Sequence, residues 1–148
     1  MFRSAQKFFV LATLASLLSV TGTAHNSSAQ QVQSPSDNIY TQEQASRGKK
    51  TYNQYCVACH GTDLLGTDFG PGVDGNALMA RWNQRTLMEF YELIRTTMPV
   101  NSPGGLSPKQ YVDLVAFLLQ EAGFPSGQIE LSQNTDQLAQ IKFSSGKP

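Results

Sequence analysis

Hydrophobic residues recur at helical spacing in several separate stretches of this chain. Between Thr86 and Thr96, Leu87, Phe90, Tyr91 and Ile94 fall at i, i+3, i+4 and i+7 and form one apolar face. Thr86 is placed to cap this helix. Glu89 and Glu92 toward its start and Arg95 at its end match the helix dipole. From Pro108 to Ala122, Tyr111, Leu114, Val115, Leu118 and Leu119 make a wider stripe, with Phe117 beside it. Ser107 and Gln110 predict a capping box there, Pro108 suits the first helical position, and Gly123 followed by Pro125 predicts the end. A third helix is predicted from Gln42 to about Cys56. Thr41 is its N-cap, Gln44 supplies the second half of a capping box, and Ala45, Gly48, Tyr52 and Tyr55 share one face. Gly48 weakens that helix by about 1 kcal/mol relative to alanine, which makes sense where another helix crosses closely. The 108–122 stripe is its natural partner. Asn76 to Asn83 predicts a short helix carrying Leu78, Met79 and Trp82. Trp82 reads equally as core filler or as a residue at a cofactor's edge.

The ends of the chain differ from its middle. Phe8 to Val20 is an apolar run of thirteen residues behind Arg3 and Lys7. Gly22-Thr23-Ala24 and Ser27-Ser28-Ala29 are small-residue cleavage sequences, so residues 1–24, or 1–29, read as a signal peptide. The alternative is an uncleaved anchor, but as a helix the run spans about 20 Å, short of a ~30 Å hydrocarbon core. Export is therefore expected, with no stable membrane span after cleavage and a periplasmic location. Residues 25–39 are expected to be a flexible leader into a domain at 40–123. Residues 124–148 form a polar extension in which Ile129, Leu131, Leu138, Ile141 and Phe143 are scattered, and it reads either as disordered or as draped over the domain.

Composition narrows the partners. The 148 residues carry eleven basic and eleven acidic side chains. Removing Arg3 and Lys7 with the signal leaves a net charge of −2. With no basic field, nucleic acid is not an expected partner, and docking must depend on local patches or apolar contact.

The chemistry is concentrated in Cys56-Val57-Ala58-Cys59-His60, the C-x-x-C-H attachment signature of c-type haem. Two cysteines three apart on a helical turn present both thiols to one porphyrin edge, where they add to its vinyl groups. His60, directly after, becomes the proximal iron ligand. Both cysteines of the chain lie in this motif. A redox pair or half a zinc site are the competing readings, but there is no second Cys/His pair and no βαβ setting. The loop from Gly61 to Asn76 is long and contains Gly66, Gly70, Gly72 and Gly75, whose backbone freedom suits wrapping a planar cofactor. Within it, the Pro71 carbonyl is placed to accept the outer ring proton of His60 and fix its tautomer, the alternative being an ordinary turn proline. Pro99 pushes Met98 into an extended conformation just past a helix, which makes Met98 the expected sixth ligand. Met79 is second choice, and Met88 reads as core or surface. The expected metal ligands are therefore His60 and Met98, and no catalytic residue is expected.

With these residues in place, the chain resembles the class I cytochromes c over about Tyr40 to Gly123. The resemblance rests on the 56–60 motif, on Gly70-Pro71-Gly72-Val73-Asp74-Gly75, on Met98-Pro99 and on the terminal helices. It implies an all-α fold of three to five helices around one covalently bound haem, with Gly48 and Tyr52 meeting Leu114 and Phe117. The stretch from Thr86 to Pro99 with Gly104-Gly105-Leu106-Ser107 is similar to small cytochromes that accept electrons from periplasmic quinoprotein dehydrogenases. The implied function is a soluble one-electron carrier between a dehydrogenase or reductase and an oxidase or second carrier. The alternatives are a haem enzyme or ligand sensor with a labile sixth position, and a haem subunit of a larger complex. Against an enzyme stands the histidine count: apart from His60 there is only His25, beside the export signal. The chain lacks a ring of docking lysines, so the partners of the mitochondrial type do not transfer.

Overall fold

The computed structural model describes residues 33–144. The signal peptide at 1–24, its alternative end at 29, His25 and the last four residues lie outside the described residues. The architecture is all-α. Among the described residues six α-helices, α1 (Gln42–Tyr55), α2 (Val57–His60), α3 (Gly75–Trp82), α4 (Leu87–Thr97), α5 (Pro108–Glu121) and α6 (Thr135–Leu138), are joined by loops and one two-residue hairpin. The hairpin pairs β1 (Gly66–Thr67) with β2 (Gly70–Pro71), antiparallel. Two of the helices, α2 and α6, are single turns that the apolar periodicity does not register. Among the described residues no helix is long and apolar enough to cross a membrane.

The longer helices begin where their capping residues predict. Thr86 and Glu89 form a complete capping box on α4, and Ser107 and Gln110 form one on α5. Gly123 (φ +84°) follows α5 one position beyond its cap at Ala122. At α1 the expected box is only half present. Thr41 accepts from the Gln44 backbone N–H, but the Gln44 side chain is turned inward and fully buried. Its amide donates to the Leu131 carbonyl at 2.9 Å, and its carbonyl accepts from the Leu131 N–H at 2.7 Å. The side-chain amide, which carries a donor and an acceptor, thereby satisfies a buried backbone N–H and C=O of the C-terminal extension in place of the local cap.

Helices α1 and α5 cross at Gly48. A Cβ there would lie 1.9 Å from the Asp113 carbonyl oxygen, so the backbones meet without room for any side chain. Tyr52 packs on Phe117 just beyond, with ring centroids 5.3 Å apart. Arg47 grips the buried Asp113 carboxylate through Nε at 2.8 Å and a terminal nitrogen at 3.0 Å. The same guanidinium reaches Glu130 in the extension at 2.7 Å. Tyr55, placed on the buried face by periodicity, is 41% exposed.

Within the described residues, the C-terminal extension at 124–144 is folded and contributes to the core. Phe124, Leu131, Leu138, Ile141 and Phe143 are all buried, whereas Ile129 is exposed. The stretch expected as a flexible leader is also structured from Gln33 onward. Its Gln33 N–H donates to the Gln140 carbonyl, and the Lys142 N–H donates back to Gln33. Each polar segment supplies the other's backbone partners, a pairing that composition does not reveal.

Two stability effects follow. Gly48→Ala is expected to lower unfolding free energy by about 3 kcal/mol or prevent folding, because backbone must move to admit the methyl group. Gln44→Ala is expected to lose about 2–4 kcal/mol, since it strands two buried backbone groups of Leu131. Thermal unfolding followed by circular dichroism measures both, with exposed Gln42→Ala as the near-neutral comparison.

Candidate functional site

The C-x-x-C-H segment is shaped by the end of α1. Cys56 closes that helix with its N–H bonded to the Tyr52 carbonyl, and the chain turns at once into α2. The N–H groups of Cys59 and His60 both return to the Cys56 carbonyl, at 3.1 and 2.9 Å. This tight turn brings Cys56, Cys59 and His60 onto the lining of one cavity of about 490 Å³. Burial pushes the Cys56 thiol up to about 11, with Cys59 adding to the shift.

Three bonds fix the turn from outside. The Tyr52 hydroxyl, kept protonated by a pKa raised to about 12 through burial and then the nearby Cys56, Asp63 and Glu121, donates to the Gly61 carbonyl at 2.7 Å. Thr67 on β1 donates to the Cys59 carbonyl, also at 2.7 Å. His60 Nδ1 lies 2.8 Å from the Pro71 carbonyl. A carbonyl only accepts, so Nδ1 carries the proton and Nε2 keeps its lone pair. The hairpin holds Pro71 there through its Gly66 partner. Of the four loop glycines expected to take unusual conformations, only Gly66 has a positive φ. The others are needed for close approach: a Cβ at Gly70, for example, would sit 2.8 Å from the Cys59 carbonyl oxygen.

The remaining walls come from α3, α4 and α5, which contribute Trp82, Phe90, Ile94, Leu114 and Leu118. Trp82 is buried, packs at 4.9 Å on Phe90 and lines the cavity. Met98 also lines it, with an extended backbone (φ −123°, ψ 151°) immediately after α4. Among the methionines at 79, 88 and 98, Met98 alone does so; Met79 and Met88 pack against the core. Two lining or bracing residues escape a reading of periodicity. Tyr111 counts only as part of the α5 stripe, yet its hydroxyl donates to the Met98 carbonyl at 2.7 Å. Arg81, one residue from Trp82, is the charged side chain on the cavity wall.

This volume lies in the usual range for a cofactor pocket, and its walls are mostly apolar. Two thiols and an imidazole with a free Nε2 stand on one part of the lining, and a thioether stands on another. That donor set fits a c-type haem. Fold and site together are those of a class I c-type cytochrome. A family model described as cytochrome c oxidase, cbb3-type, subunit III matches residues 43–118, about half of the chain, and the chain belongs to that family. No curated protein matches the chain, and no solved structure does. Membership brings a covalently bound haem and electron transfer as the general function.

Proposed function

We propose that the mature protein is an exported, periplasmic one-electron carrier and not an enzyme. In this reading Cys56 and Cys59 would hold the haem by thioether bonds, and His60 and Met98 would bind its iron. The observation that carries the reading is the meeting of all four side chains on one apolar cavity, with His60 already oriented by Pro71. When bound, the haem supplies a one-electron couple, and thioether ligation with apolar burial favours its ferrous form. The protein's part is to hold both axial side chains still. His60 is held through the hairpin, and Met98 through Tyr111, so neither needs to move when charge changes. With Met98 bound to the iron, substrates and diatomic ligands would be kept off it. Arg81 is the charged group available to a haem carboxylate.

Partners are proposed on the same basis. Large exposed apolar side chains among the described residues are Tyr55, Leu65, Phe69, Leu93, Val100 and Ile129, and four of them also line the cavity. An apolar mouth of this kind suits docking of a dehydrogenase, possessing a quinone cofactor or not, and of an oxidase or second carrier, through nonpolar contact. A second reading, a haem subunit within a larger complex, is favoured by the family's description as an oxidase subunit. It requires the purified mature protein to run as part of an assembly, not as a monomer.

Two measurements test the carrier. The ferric protein is expected to show a weak long-wavelength sulfur-to-iron band that Met98→Ala abolishes, and the ferrous protein to resist carbon monoxide until that substitution is made. Ready carbon monoxide binding by the wild type would instead bring forward the enzyme or sensor. Stopped-flow electron transfer with a physiological donor is expected to change less than about threefold between low and ~0.2 M salt, where charge-steered docking falls much further.

A further inference from the structure

The family match ends at residue 118, yet the chain continues through a folded segment to residue 144. We propose that this extension forms the back of the haem site, and that Phe143 is a positioning residue which holds Trp82 and Phe90 closed on the cofactor. The proposal rests on the haem reading above.

Phe143 is fully buried and stands behind two side chains of the cavity wall. Its ring centroid lies 5.7 Å from that of Phe90, nearly perpendicular to it, and 6.5 Å from that of Trp82. Phe124, at the root of the extension, closes the cluster at 6.5 Å. The backbone is committed to the same place. Phe143 accepts from the Gln84 N–H at 2.8 Å and donates to the Arg85 carbonyl at 2.9 Å, while Ile141 accepts from the Leu87 N–H at 2.9 Å. These bonds fasten the extension to the connection between α3 and α4, the two helices that carry Trp82 and Phe90. Helix α4 also leads directly into Met98. Arg85 adds a guanidinium 4.2 Å from the centre of the Trp82 ring.

The physical consequence concerns polarity. Rigid aromatic plates keep water out only while something fills the space behind them, and a void there removes the contacts that hold them in place. Haem potential depends on burial and on the surrounding dielectric. Phe143 therefore acts on the haem through Trp82 and Phe90 without lining the cavity itself.

The test compares holoprotein variants. Phe143→Ala is expected to shift the ferric–ferrous equilibrium about fivefold toward ferric as water gains access. It is also expected to speed the slow carbon monoxide uptake of the ferrous protein about tenfold, still far short of the uptake in Met98→Ala. Phe143→Leu, which keeps most of the volume, is expected to shift both less than half as far. Leu131→Ala is the comparison: it is buried in the same extension but tied to Gln44, which does not line the cavity. It is expected to lower the unfolding temperature while leaving the potential in place. An unchanged potential in Phe143→Ala would overturn the proposal, as would an equal shift in Leu131→Ala. Should Phe143→Ala fail to fold, the comparison of Phe143→Leu with Leu131→Ala decides in the same way. The wild-type spectrum keeps the two readings apart. Loss of the sulfur-to-iron band there removes Met98 as a ligand, whereas potentials among the variants still decide the role of Phe143.

Discussion

At Gly48 the backbones of α1 and α5 approach to a distance that no Cβ tolerates, and the site is hung from that contact. The crossing fixes how α1 lies on α5, and α1 ends at Tyr55 with Cys56 as its cap. Tyr52, one turn past Gly48, packs on Phe117 with its ring and holds the Gly61 carbonyl with its hydroxyl. On the other helix, Tyr111 reaches from α5 to the Met98 carbonyl. One helix of the pair therefore positions the cysteine and histidine side, and its partner positions the methionine side. A shift between the helices would change the separation of His60 and Met98 directly.

A carrier of single electrons gains from stiffness. Every rearrangement that accompanies a change of iron charge adds to the barrier for transfer, and close packing together with satisfied backbone groups keeps such rearrangement small. The hydrogen bonds around the cavity suit this need. His60 is held through a backbone carbonyl, so its orientation depends on the hairpin and not on a mobile side chain. The Met98 segment is held in the same manner, with a side-chain hydroxyl gripping the backbone. Most of the surrounding wall is aliphatic or aromatic, and charge is confined to Arg81 at its edge.

The segment after α5 changes the picture of how large this domain is. Helices α1 to α5 bury much of their apolar surface against one another, but the α3–α4 connection would leave backbone donors and acceptors open without Ile141 and Phe143. Gln44 and Arg47 show the same dependence on the α1 side, through Leu131 and Glu130. The extension thus fastens to α1 on one side and to the α3–α4 connection on the other. Its polar composition reflects a single layer of chain lying on a surface, where only every few residues turn inward.

Local chemistry alone determined the longer helices, their caps at Thr86 and Ser107, and the haem motif, because apolar period, hydrogen-bonding termini and a five-residue signature all act within a few residues of chain. The His60–Pro71 bond matches the expectation placed on Pro71 in Gly70-Pro71-Gly72. Tertiary structure decided what depends on distant partners. Gln44 looks like a capping residue until Leu131, eighty-seven residues away, presents a buried donor and acceptor together. Tyr111 looks like core until its hydroxyl meets Met98. Residues 124–144 read from the sequence either as disordered or as draped over the domain, because apolar residues without a period carry no local preference; Phe124, Leu131, Leu138, Ile141 and Phe143 become core only when α3, α4 and the segment at Gln33 exist to receive them.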